Sequence, residues 1–367
     1  MKKILIEIGH PAHVHQFKNM YWELEKNGWQ GLFVTKDKEC AIDLLKAYKL
    51  PYKVLGLTRS GIVSKIISLP YFATKMFKVA TSFKPDVFVS RVSPLSGWSS
   101  FLLRKPHITF TDTENVRLMD FFSEPFADVV LTSDSYLRNH GRKHIRYPGY
   151  HELAYLHPNR FTPNSSVMSK LGLLEDERYA IIRFVAWNAH HDIGQSGISN
   201  DNRIRLTEIL SSQMKVYITS EADLPYELKK YQINIAPEEM HSVLSFAQIY
   251  VGESPTMAEE CAVLGVPSIL VSSWAGETGV IKDLEKYNLV RCFHPSDIDS
   301  MYSLLAQYLH DPGIKTSHLR LKNQMLNHRI DVSEFMAWFI NDYPNSLRKG
   351  SVSKVGVNWI HPYEEKG

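Results

Sequence analysis

Short apolar runs alternate with helix-spaced segments along this chain, and the alternation starts afresh in the second half. In the first half the runs that predict buried strands are 4–8, 32–35, 87–90, 107–110 and 129–132. In the second half they are 179–183, 215–219, 233–235, 249–251 and 268–271. Strands that alternate with helices predict a parallel, doubly wound sheet. We therefore predict an α/β protein with two Rossmann-like domains facing a central cleft.

A proline-containing stretch separates the two halves. Pro158 and Pro163 interrupt it, which is typical of a linker. We expect an N-terminal domain over 1–160 and a C-terminal domain over 161–330. Residues 331–367 are expected to form a helix that returns toward the first domain, followed by a tail. A length of 367 residues suits two domains of about 150 residues each.

The composition is that of a soluble globular protein, with 44% hydrophobic and 22% charged residues. No apolar run reaches the roughly 18 residues that a membrane span needs. The three cysteines are scattered along the chain, which predicts a reducing cytoplasm and no disulfide framework. Glu7 interrupts the apolar N-terminus, so we interpret it as a first strand and not as a secretory signal.

The segment 62–84 combines apolar and aromatic residues with interleaved lysines. Such a segment suits peripheral contact with the inner face of the membrane, or with a lipid-linked acceptor. The alternative is a core helix that packs on the sheet. Pro70 lies within the segment and predicts a break or a kink.

A polar turn and a helix follow the apolar run at 249–251. The start of such a helix presents backbone N–H groups and the positive end of the helix dipole, which favour a bound anion. Ser254 and Thr256 add hydroxyl donors suited to a diphosphate. Glu260 lies one turn further along, where its carboxylate can accept from the vicinal hydroxyls of a ribose. The pattern suggests a sugar-nucleotide site, and the alternative is an ordinary helix capped by Ser254.

Histidines and carboxylates at two strand ends of the first domain are candidates for acid–base catalysis. His10, His13 and His15 follow the first strand, and Asp112 and Glu114 follow the run at 107–110. We predict His13 or Glu114 as the base that deprotonates an acceptor hydroxyl, with His10 beside them. The alternatives are helix caps or a metal site. We expect no metal, because histidine ligands usually come with further ligands at matched spacing.

Two strand ends of the second domain carry candidate nucleotide-sugar contacts. Arg183 suits a diphosphate, Trp187 suits stacking on a base or sugar, and His190 suits contact with the substrate. Ser220 and Glu221 follow the next strand and suit closing over the nucleotide. The alternatives are a core position for Trp187 and a capping role for the Ser220 segment.

These segments together resemble the GT-B superfamily, which includes sugar-nucleotide glycosyltransferases and the non-hydrolysing UDP-N-acetylglucosamine 2-epimerases. Within that superfamily the chain closely resembles a prokaryotic domain-of-unknown-function family related to those epimerases and to lipid-linked N-acetylglucosaminyltransferases. The matching segments are 9–18, 112–114, 149–156, 183–192 and 253–267.

The resemblance implies roles for the residues around the start of the 256–264 helix. The epimerases have an Asp-Ser-Gly-Gly-x-Gln-Glu-Glu pattern followed by Leu-Gly-x-Pro, which this chain matches in part over 253–267. By that resemblance Ser254 and Thr256 would contact the diphosphate and Glu260 the ribose, and we count Met257 with them. Pro255 departs from the pattern and removes one N–H donor.

The resemblance implies a metal-independent glycosyltransferase with a nucleotide-sugar donor, UDP-linked, as substrate and with no cofactor. Its expected role is surface polysaccharide or glycoconjugate biosynthesis, with a glycan or lipid-linked acceptor and no nucleic acid partner. Arg91 stands where the epimerases have an acidic residue, which disfavours epimerisation. Glu114 matches an epimerase catalytic residue, so a 2-epimerase remains an alternative. A non-catalytic nucleotide-sugar-binding protein is the third hypothesis.

Overall fold

The structure, a computed structural model, divides into two compact units. The N-terminal unit comprises Met1–Arg160 and Arg329–Gly367, and the C-terminal unit comprises Phe161–His328. The residues that the structure describes are 1–37, 40–57, 62–114, 117–174, 176–186, 197–221, 223–273, 276–347, 351–352 and 357–358.

The N-terminal unit is built on a seven-stranded parallel sheet. Its strands are β1 (Lys3–Ile8), β2 (Gln30–Asp37), β3 (Tyr52–Leu57), β4 (Val87–Arg91), β5 (His107–Phe110), β6 (Val129–Ser133) and β7 (His144–Tyr147). Their order across the sheet is β3-β2-β1-β4-β5-β6-β7. This is a Rossmann order, because the chain runs outward from β1 and then starts again at β4 on the other side of β1.

Helices connect the strands of this unit. They are α1 (Pro11–Lys26), α2 (Ala41–Ala47), α3 (Ile62–Phe83), α4 (Pro94–Leu103), α5 (Arg117–Ser123) and α6 (Leu153–Leu156). Proline occupies the first turn of both α1 and α4. Backbone N–H groups of the first turn have no partner within the helix, so the missing N–H of proline costs no hydrogen bond there. Both helices therefore begin directly after a strand, at the edge of the sheet where ligands of α/β proteins bind.

Helix α3 packs one face against the sheet. Phe72, Met76 and Ala80 are spaced by four residues and are buried in the same cluster as Leu5 of β1. Tyr71 lies on another face and is 56% exposed. Most apolar residues in the described part of α3 therefore pack against the core, as the core-helix alternative predicts. None of the described helices has the length and apolar character that crossing a bilayer requires.

The C-terminal unit is built on a five-stranded parallel sheet. Its strands are β8 (Tyr179–Phe184), β9 (Lys215–Ser220), β10 (Ile249–Gly252), β11 (Ser268–Val271) and β12 (Val290–Phe293), in the order β12-β11-β10-β8-β9. The helices are α7 (Ser166–Lys170), α8 (Asn200–Ser211), α9 (Met240–Phe246), α10 (Pro255–Leu264), α11 (Gly279–Lys286), α12 (Ile298–His310) and α13 (Ile314–Leu326). The prediction of two Rossmann-like parallel sheets is confirmed.

The strand predicted at 233–235 is wrong. Those residues are irregular, and the backbone forms only an isolated parallel bridge between Ile218 and Gln232 beside edge strand β9. Beyond the second unit the chain forms α14 (Val332–Asn341), which packs against α1 and α6 of the N-terminal unit. A short hairpin of β13 (Ser351–Val352) and β14 (Val357–Asn358) follows.

Candidate functional site

The two central strands of the C-terminal sheet end at a topological switch point. From β8 the chain goes to edge strand β9 and then returns to β10 on the other side of β8. Ligands of open α/β sheets bind beside the carboxyl ends of the strands at such a point. Arg183 of β8 and Gly252 of β10 are register partners there. The candidate site of this unit therefore lies where the chain leaves these two strands.

Helix α10 begins directly after β10. The Ser254 hydroxyl caps the helix and accepts a hydrogen bond from Met257 N at 3.4 Å. Pro255 occupies the first turn, where an N–H would have no helical partner, so this departure from the epimerase pattern suits a helix start. Ser254, Pro255, Thr256 and Met257 are all half-buried. In the described parts of the chain, Ser254 is the one side chain that hydrogen-bonds a backbone N–H of this first turn.

Arg183 lies beside the strand that leads into α10. A Cβ added at Gly252 would lie 2.9 Å from Arg183 Cβ, so glycine is needed for this close approach. Arg183 Nη2 donates to Glu221 Oε1 at 2.5 Å. Its Nε atom is buried and hydrogen-bonds none of the described residues. The guanidinium therefore keeps an unused donor at the switch point.

The end of β9 brings two further predicted residues to this edge. Glu221 accepts from both Arg183 and the backbone N–H of Ala186, at 2.5 and 3.4 Å. Ser220, the last residue of β9, is half-buried. Met257 approaches the neighbouring Thr219, whose hydroxyl lies 4.0 Å from the Met257 sulfur. The structure thus places the predicted residues at the ends of β8, β9 and β10 along one edge of this sheet.

Glu253 is a residue of this site that the sequence interpretation did not single out. Its buried carboxylate accepts from Val185 N at 2.7 Å and from Ile198 N at 2.6 Å. It also pairs with Arg203 Nη2, at 3.0 and 3.1 Å. One carboxylate therefore joins the chain at Val185 to the chain at Ile198 and Arg203. The signal available in the sequence was an acidic residue directly before a helix cap.

Glu260 lies on α10 and is buried. Its Oε1 atom lies 2.9 Å from His241 Nε2, which belongs to α9. The sequence interpretation named Glu260 and missed His241. Nothing local in the sequence links the two residues, because the contact depends on how α9 packs against α10.

Beneath the site, burial raises the pKa of the Tyr250 phenol well above its usual value. Its hydroxyl donates to Ser254 O at 3.2 Å. Only the protonated phenol can donate this hydrogen bond, so burial and the hydrogen bond both favour the protonated form of Tyr250. Trp187 and His190, which were predicted to contact the nucleotide sugar, lie outside the described residues.

In the N-terminal unit, His10 and His13 organise the turn between β1 and α1. His10 caps α1, with Nδ1 accepting from Ala12 N at 3.2 Å. His13 Nδ1 accepts from Gly9 N at 3.1 Å. The centroids of the two imidazole rings lie 6.1 Å apart. Each Nδ1 is thus committed to a backbone donor, as the helix-cap alternative predicts.

Glu114 lies in a different setting from the histidines. It is buried, and its Oε1 atom accepts from Leu137 N at 3.2 Å. Its backbone carbonyl accepts from Arg138 Nη1 at 3.1 Å. Glu114 therefore anchors the segment that follows β6.

A buried polar network links Gln16, Arg91, Asp112, His151 and Glu152. Arg91 pairs with one oxygen of Asp112 and donates to Gln16 Oε1 at 3.1 Å. The other oxygen of Asp112 lies 2.6 Å from His151 Nδ1, and His151 Nε2 lies 2.9 Å from Glu152 Oε1. Glu152 is fully buried, and neither of its oxygens accepts an aligned hydrogen bond from the described residues. The sequence interpretation considered Asp112 but did not predict its partners.

A carboxylate occupies the start of α4 in this unit. Glu7, the fifth residue of β1, accepts from Ser93 Oγ at 2.8 Å, from Ser96 Oγ at 2.5 Å and from Ser96 N at 3.1 Å. Glu7 is buried. The positive end of this helix is therefore neutralised by the protein itself. Sequence interpretation treated Glu7 only as a break in an apolar run.

Solved structures share this architecture across almost their whole length. The S. aureus MnaA–UDP structure is 14% identical, with a TM-score of 0.65 over 95% of this chain and 98% of that one. A UDP-N-acetylglucosamine 2-epimerase is 12% identical, with a TM-score of 0.66 over 96% and 99%. The glycosyltransferase VinC in complex with dTDP is 11% identical, with a TM-score of 0.60 over 95% and 100%. The chain has the GT-B fold.

Sequence comparison gives the family. An uncharacterised Methanocaldococcus jannaschii protein, MJ0665, is 23% identical over 323 residues, which are 83% of this chain and 91% of that protein. The sequence model of one family, described as a protein of unknown function (DUF354), matches residues 2–332. The chain therefore belongs to the DUF354 family.

Proposed function

We propose that this protein is a glycosyltransferase that takes a UDP-linked sugar donor, in surface polysaccharide or glycoconjugate biosynthesis. The observation that carries the proposal is the charge beside the α10 start. In the N-terminal unit the corresponding helix start, that of α4, holds Glu7. In the C-terminal unit the strand beside the one that leads into α10 carries Arg183, the register partner of Gly252. A helix start next to an arginine favours an anionic ligand.

The two charged residues lie near the same strand end of their units but are offset by one residue in register. The strand partner of Glu7 precedes its helix cap by three residues, and the strand partner of Arg183 precedes its helix cap by two. Glu7 pairs with Ser90 in the β1–β4 ladder, and Arg183 pairs with Gly252 in the β8–β10 ladder. In each unit a serine caps the next helix and a proline follows it. The N-terminal unit supplies its own anion to its helix start, and the C-terminal unit has a cation at the end of the adjoining strand, so the C-terminal unit is the one suited to a diphosphate.

We assign the donor to the C-terminal unit on this basis. The backbone N–H groups at Thr256 and Met257, with Ser254, would bind the diphosphate, and Arg183 would neutralise it as it departs. Glu260 would accept from the ribose. Ser220 and Glu221 would border the nucleotide. The solved structures with UDP and dTDP support a nucleoside diphosphate as the ligand class.

We assign the acceptor, a glycan or a lipid-linked sugar, to the N-terminal unit. His13 and Glu114 remain the proposed bases, with His10 beside them. Since each His Nδ1 accepts a backbone hydrogen bond, Nε2 is the atom that would face a substrate hydroxyl. The donor is a substrate, and the proposal includes no cofactor and no metal. We place the protein in the cytoplasm, at the inner face of the membrane when its acceptor is lipid-linked.

The first experiment is a thermal-shift series with UDP, dTDP, GDP, ADP and uridine. A ligand present at 100 times its dissociation constant adds about 2.7 kcal/mol of stability, which shifts the melting temperature measurably. The proposal predicts a shift with UDP and none with uridine, because the diphosphate supplies the charge. Equal behaviour of UDP and uridine would contradict it.

The second experiment measures turnover. UDP-N-acetylglucosamine and other UDP-sugars are incubated with the protein, with and without a panel of glycan and lipid-linked acceptors. A glycosyltransferase releases UDP in step with acceptor modification. Glu114→Gln and His13→Gln should each lower that rate by at least tenfold without weakening UDP binding. UDP binding without any acceptor-dependent release would favour the non-catalytic binding protein.

A 2-epimerase is the second candidate, and the buried Asp112–His151–Glu152 array favours it. Epimerisation requires groups that remove and return a proton, and a histidine between two carboxylates is suited to that task. Proton NMR of UDP-N-acetylglucosamine incubated with the protein alone separates the candidates. A changed sugar configuration without an acceptor would establish the epimerase and exclude the glycosyltransferase.

A further inference from the structure

The ion pair between Glu221 and Arg183 is the starting point, and the inference from it rests on the proposed diphosphate site. Arg183 Nη2 donates to Glu221 Oε1 at 2.5 Å, and the other oxygen, Oε2, accepts from Ala186 N at 3.4 Å. One carboxylate thus uses both of its oxygens, one on a guanidinium and one on a backbone N–H. A phosphate group also presents several oxygens on one centre to donors of these kinds.

The backbone of Glu221 is fixed, whereas its side chain is open to water. The Glu221 N–H donates to Phe184 O at 3.2 Å, directly after the last register pair of β8 and β9. The Glu221 side chain is 45% exposed and that of Arg183 is 20% exposed. The carboxylate can therefore rotate into solvent without a change in the backbone. Such a rotation costs little, because ion pairs that are open to water contribute little to stability.

The carboxylate at the start of α4 shows the opposite case. Glu7 is buried, and it accepts three hydrogen bonds from Ser93 and Ser96. Moving it away would leave buried donors unpaired, which is costly. Glu7 is therefore a permanent anion of the N-terminal unit, whereas Glu221 is able to give way to a ligand.

We propose that Glu221 is a placeholder for one phosphate group of the nucleoside diphosphate, and that Arg183 and Ala186 N form a phosphate subsite. In the structure the carboxylate occupies this subsite. When the ligand binds, a phosphate displaces the carboxylate, pairs with Arg183 and accepts from Ala186 N, and the carboxylate turns to solvent.

This displacement makes Glu221 a residue that sets the specificity of the site. A ligand must supply enough negative charge to replace the carboxylate, so part of its affinity is spent on moving Glu221. A nucleoside without phosphate leaves the ion pair with Arg183 in place. Removing the charge of Glu221 should therefore strengthen the binding of the diphosphate and leave the binding of the nucleoside unchanged.

The test compares the dissociation constants of UDP and uridine for the wild-type protein and Glu221→Gln, by isothermal titration calorimetry. Glutamine keeps the shape of the side chain and removes its charge. We expect UDP to bind about three- to tenfold more tightly to the variant, because neither the ion pair nor a like charge opposes the diphosphate. Uridine should behave in the same way with both proteins.

Glu177→Gln is the matched control. Glu177 pairs with Lys215 Nζ at 2.9 Å and accepts from Leu174 N at 3.1 Å, so it too joins an ion pair to a backbone N–H. Lys215 is the first residue of β9, whereas Glu221 follows the last, so the two carboxylates lie at opposite edges of the sheet. The control removes the same charge from the same unit, and UDP affinity should stay within about twofold.

Melting curves check that each variant is folded. Weaker UDP binding in folded Glu221→Gln would mean that the carboxylate holds Arg183 in place for the ligand, and unchanged binding would mean that no phosphate takes its position. Either result would overturn this inference, while UDP binding by the wild-type protein would leave the proposed function standing. An equal gain in Glu177→Gln would show a general effect of charge and would also overturn the inference. If neither the wild-type protein nor Glu221→Gln binds UDP, the proposed function fails as well.

Discussion

At the level of single residues, Glu253 and Arg203 form a buried ion pair beside the candidate site. The Glu253 carboxylate is fully buried, and the Arg203 side chain is 13% exposed. Glu253 also accepts from the backbone at Val185 and Ile198, so all of its strong acceptor directions are used. A buried ion pair of this kind matters for stability chiefly because removing one partner leaves the other charge buried without a counter-charge.

Glu253→Ala is expected to destabilise the protein by about 3 to 5 kcal/mol, because it leaves Arg203 buried without its counter-charge. Urea denaturation followed by circular dichroism measures the loss. Lys286→Ala is the control, since the Lys286 side chain is 76% exposed where it pairs with Asp283 and should change stability by less than about 1 kcal/mol. Similar effects of the two substitutions would contradict this interpretation.

His107 gives the stability of the N-terminal unit a predictable dependence on pH. Burial lowers the pKa of this histidine from 6.5 to about 4, and its Nε2 atom lies 2.8 Å from Ser90 Oγ. The unfolded chain therefore takes up the proton at a higher pH than the folded chain does. Stability is complete above pH 6.5 and is lost as the pH falls toward 4.

The expected loss is about 3 kcal/mol between pH 6.5 and pH 4, from 1.36 kcal/mol for each pKa unit. His107→Asn removes the titrating group and should flatten this part of the profile, although it lowers stability at neutral pH. Urea midpoints measured at half-unit pH steps check the prediction. An unchanged acid slope in the variant would mean that other groups, such as the buried His144, cause it.

At the level of elements, the starts of α4 and α10 differ in the charge that the preceding sheet presents. Glu7 binds the start of α4 directly. Arg183, near the end of β8, is the register partner of Gly252 in the strand that leads into α10. Changing the charge at this position should therefore change what the helix start can bind.

Arg183→Glu would replace the cation at the end of β8 by a carboxylate. We expect it to weaken UDP binding at least a hundredfold, because it replaces an attraction by a repulsion at the diphosphate. Arg205→Glu is the matched control, since Arg205 is an exposed arginine on α8 and should leave binding within threefold. Isothermal titration calorimetry with UDP measures the dissociation constant of each variant. Undiminished binding in Arg183→Glu would place the diphosphate elsewhere.

The sequence predicted the central strands of both sheets and edge strand β9, and it missed the other three edge strands. Strands β3, β7 and β12 were not predicted, and each lies at an edge of its sheet. The strands β3 and β12 are half exposed, as at Lys53 and Arg291, so they lack the apolar runs that mark β1 or β10. Prediction from apolar runs therefore detects strands buried on both faces and misses most of those at an edge.

The site was predictable where its residues are close in sequence. Ser254, Thr256 and Glu260 follow from one strand–turn–helix pattern. The partners His241 and His151 were not predictable, because each depends on packing between elements that are distant in the chain. For His10 and His13, the sequence left helix capping as an alternative to catalysis, and in the structure both bond backbone N–H groups of their own turn.

At the level of the whole molecule, the two units share an architecture but differ in what occupies their helix starts. Both have parallel sheets with a serine-capped, proline-initiated helix after the strand that restarts the sheet. The N-terminal unit uses its own carboxylate there, and in the described part of the C-terminal unit the Ser254 hydroxyl caps the helix. Under the proposed function, this difference directs the nucleotide to the C-terminal unit.

The central claim is that α10 and Arg183 bind the diphosphate of a nucleotide, and a crystal structure of the protein grown with UDP tests it most directly. We predict diphosphate oxygens within hydrogen-bond distance of Thr256 N and Met257 N, with the Arg183 guanidinium beside them. The ribose hydroxyls should face Glu260. Electron density for UDP at any other place, with the α10 start bound only to water, would contradict the claim.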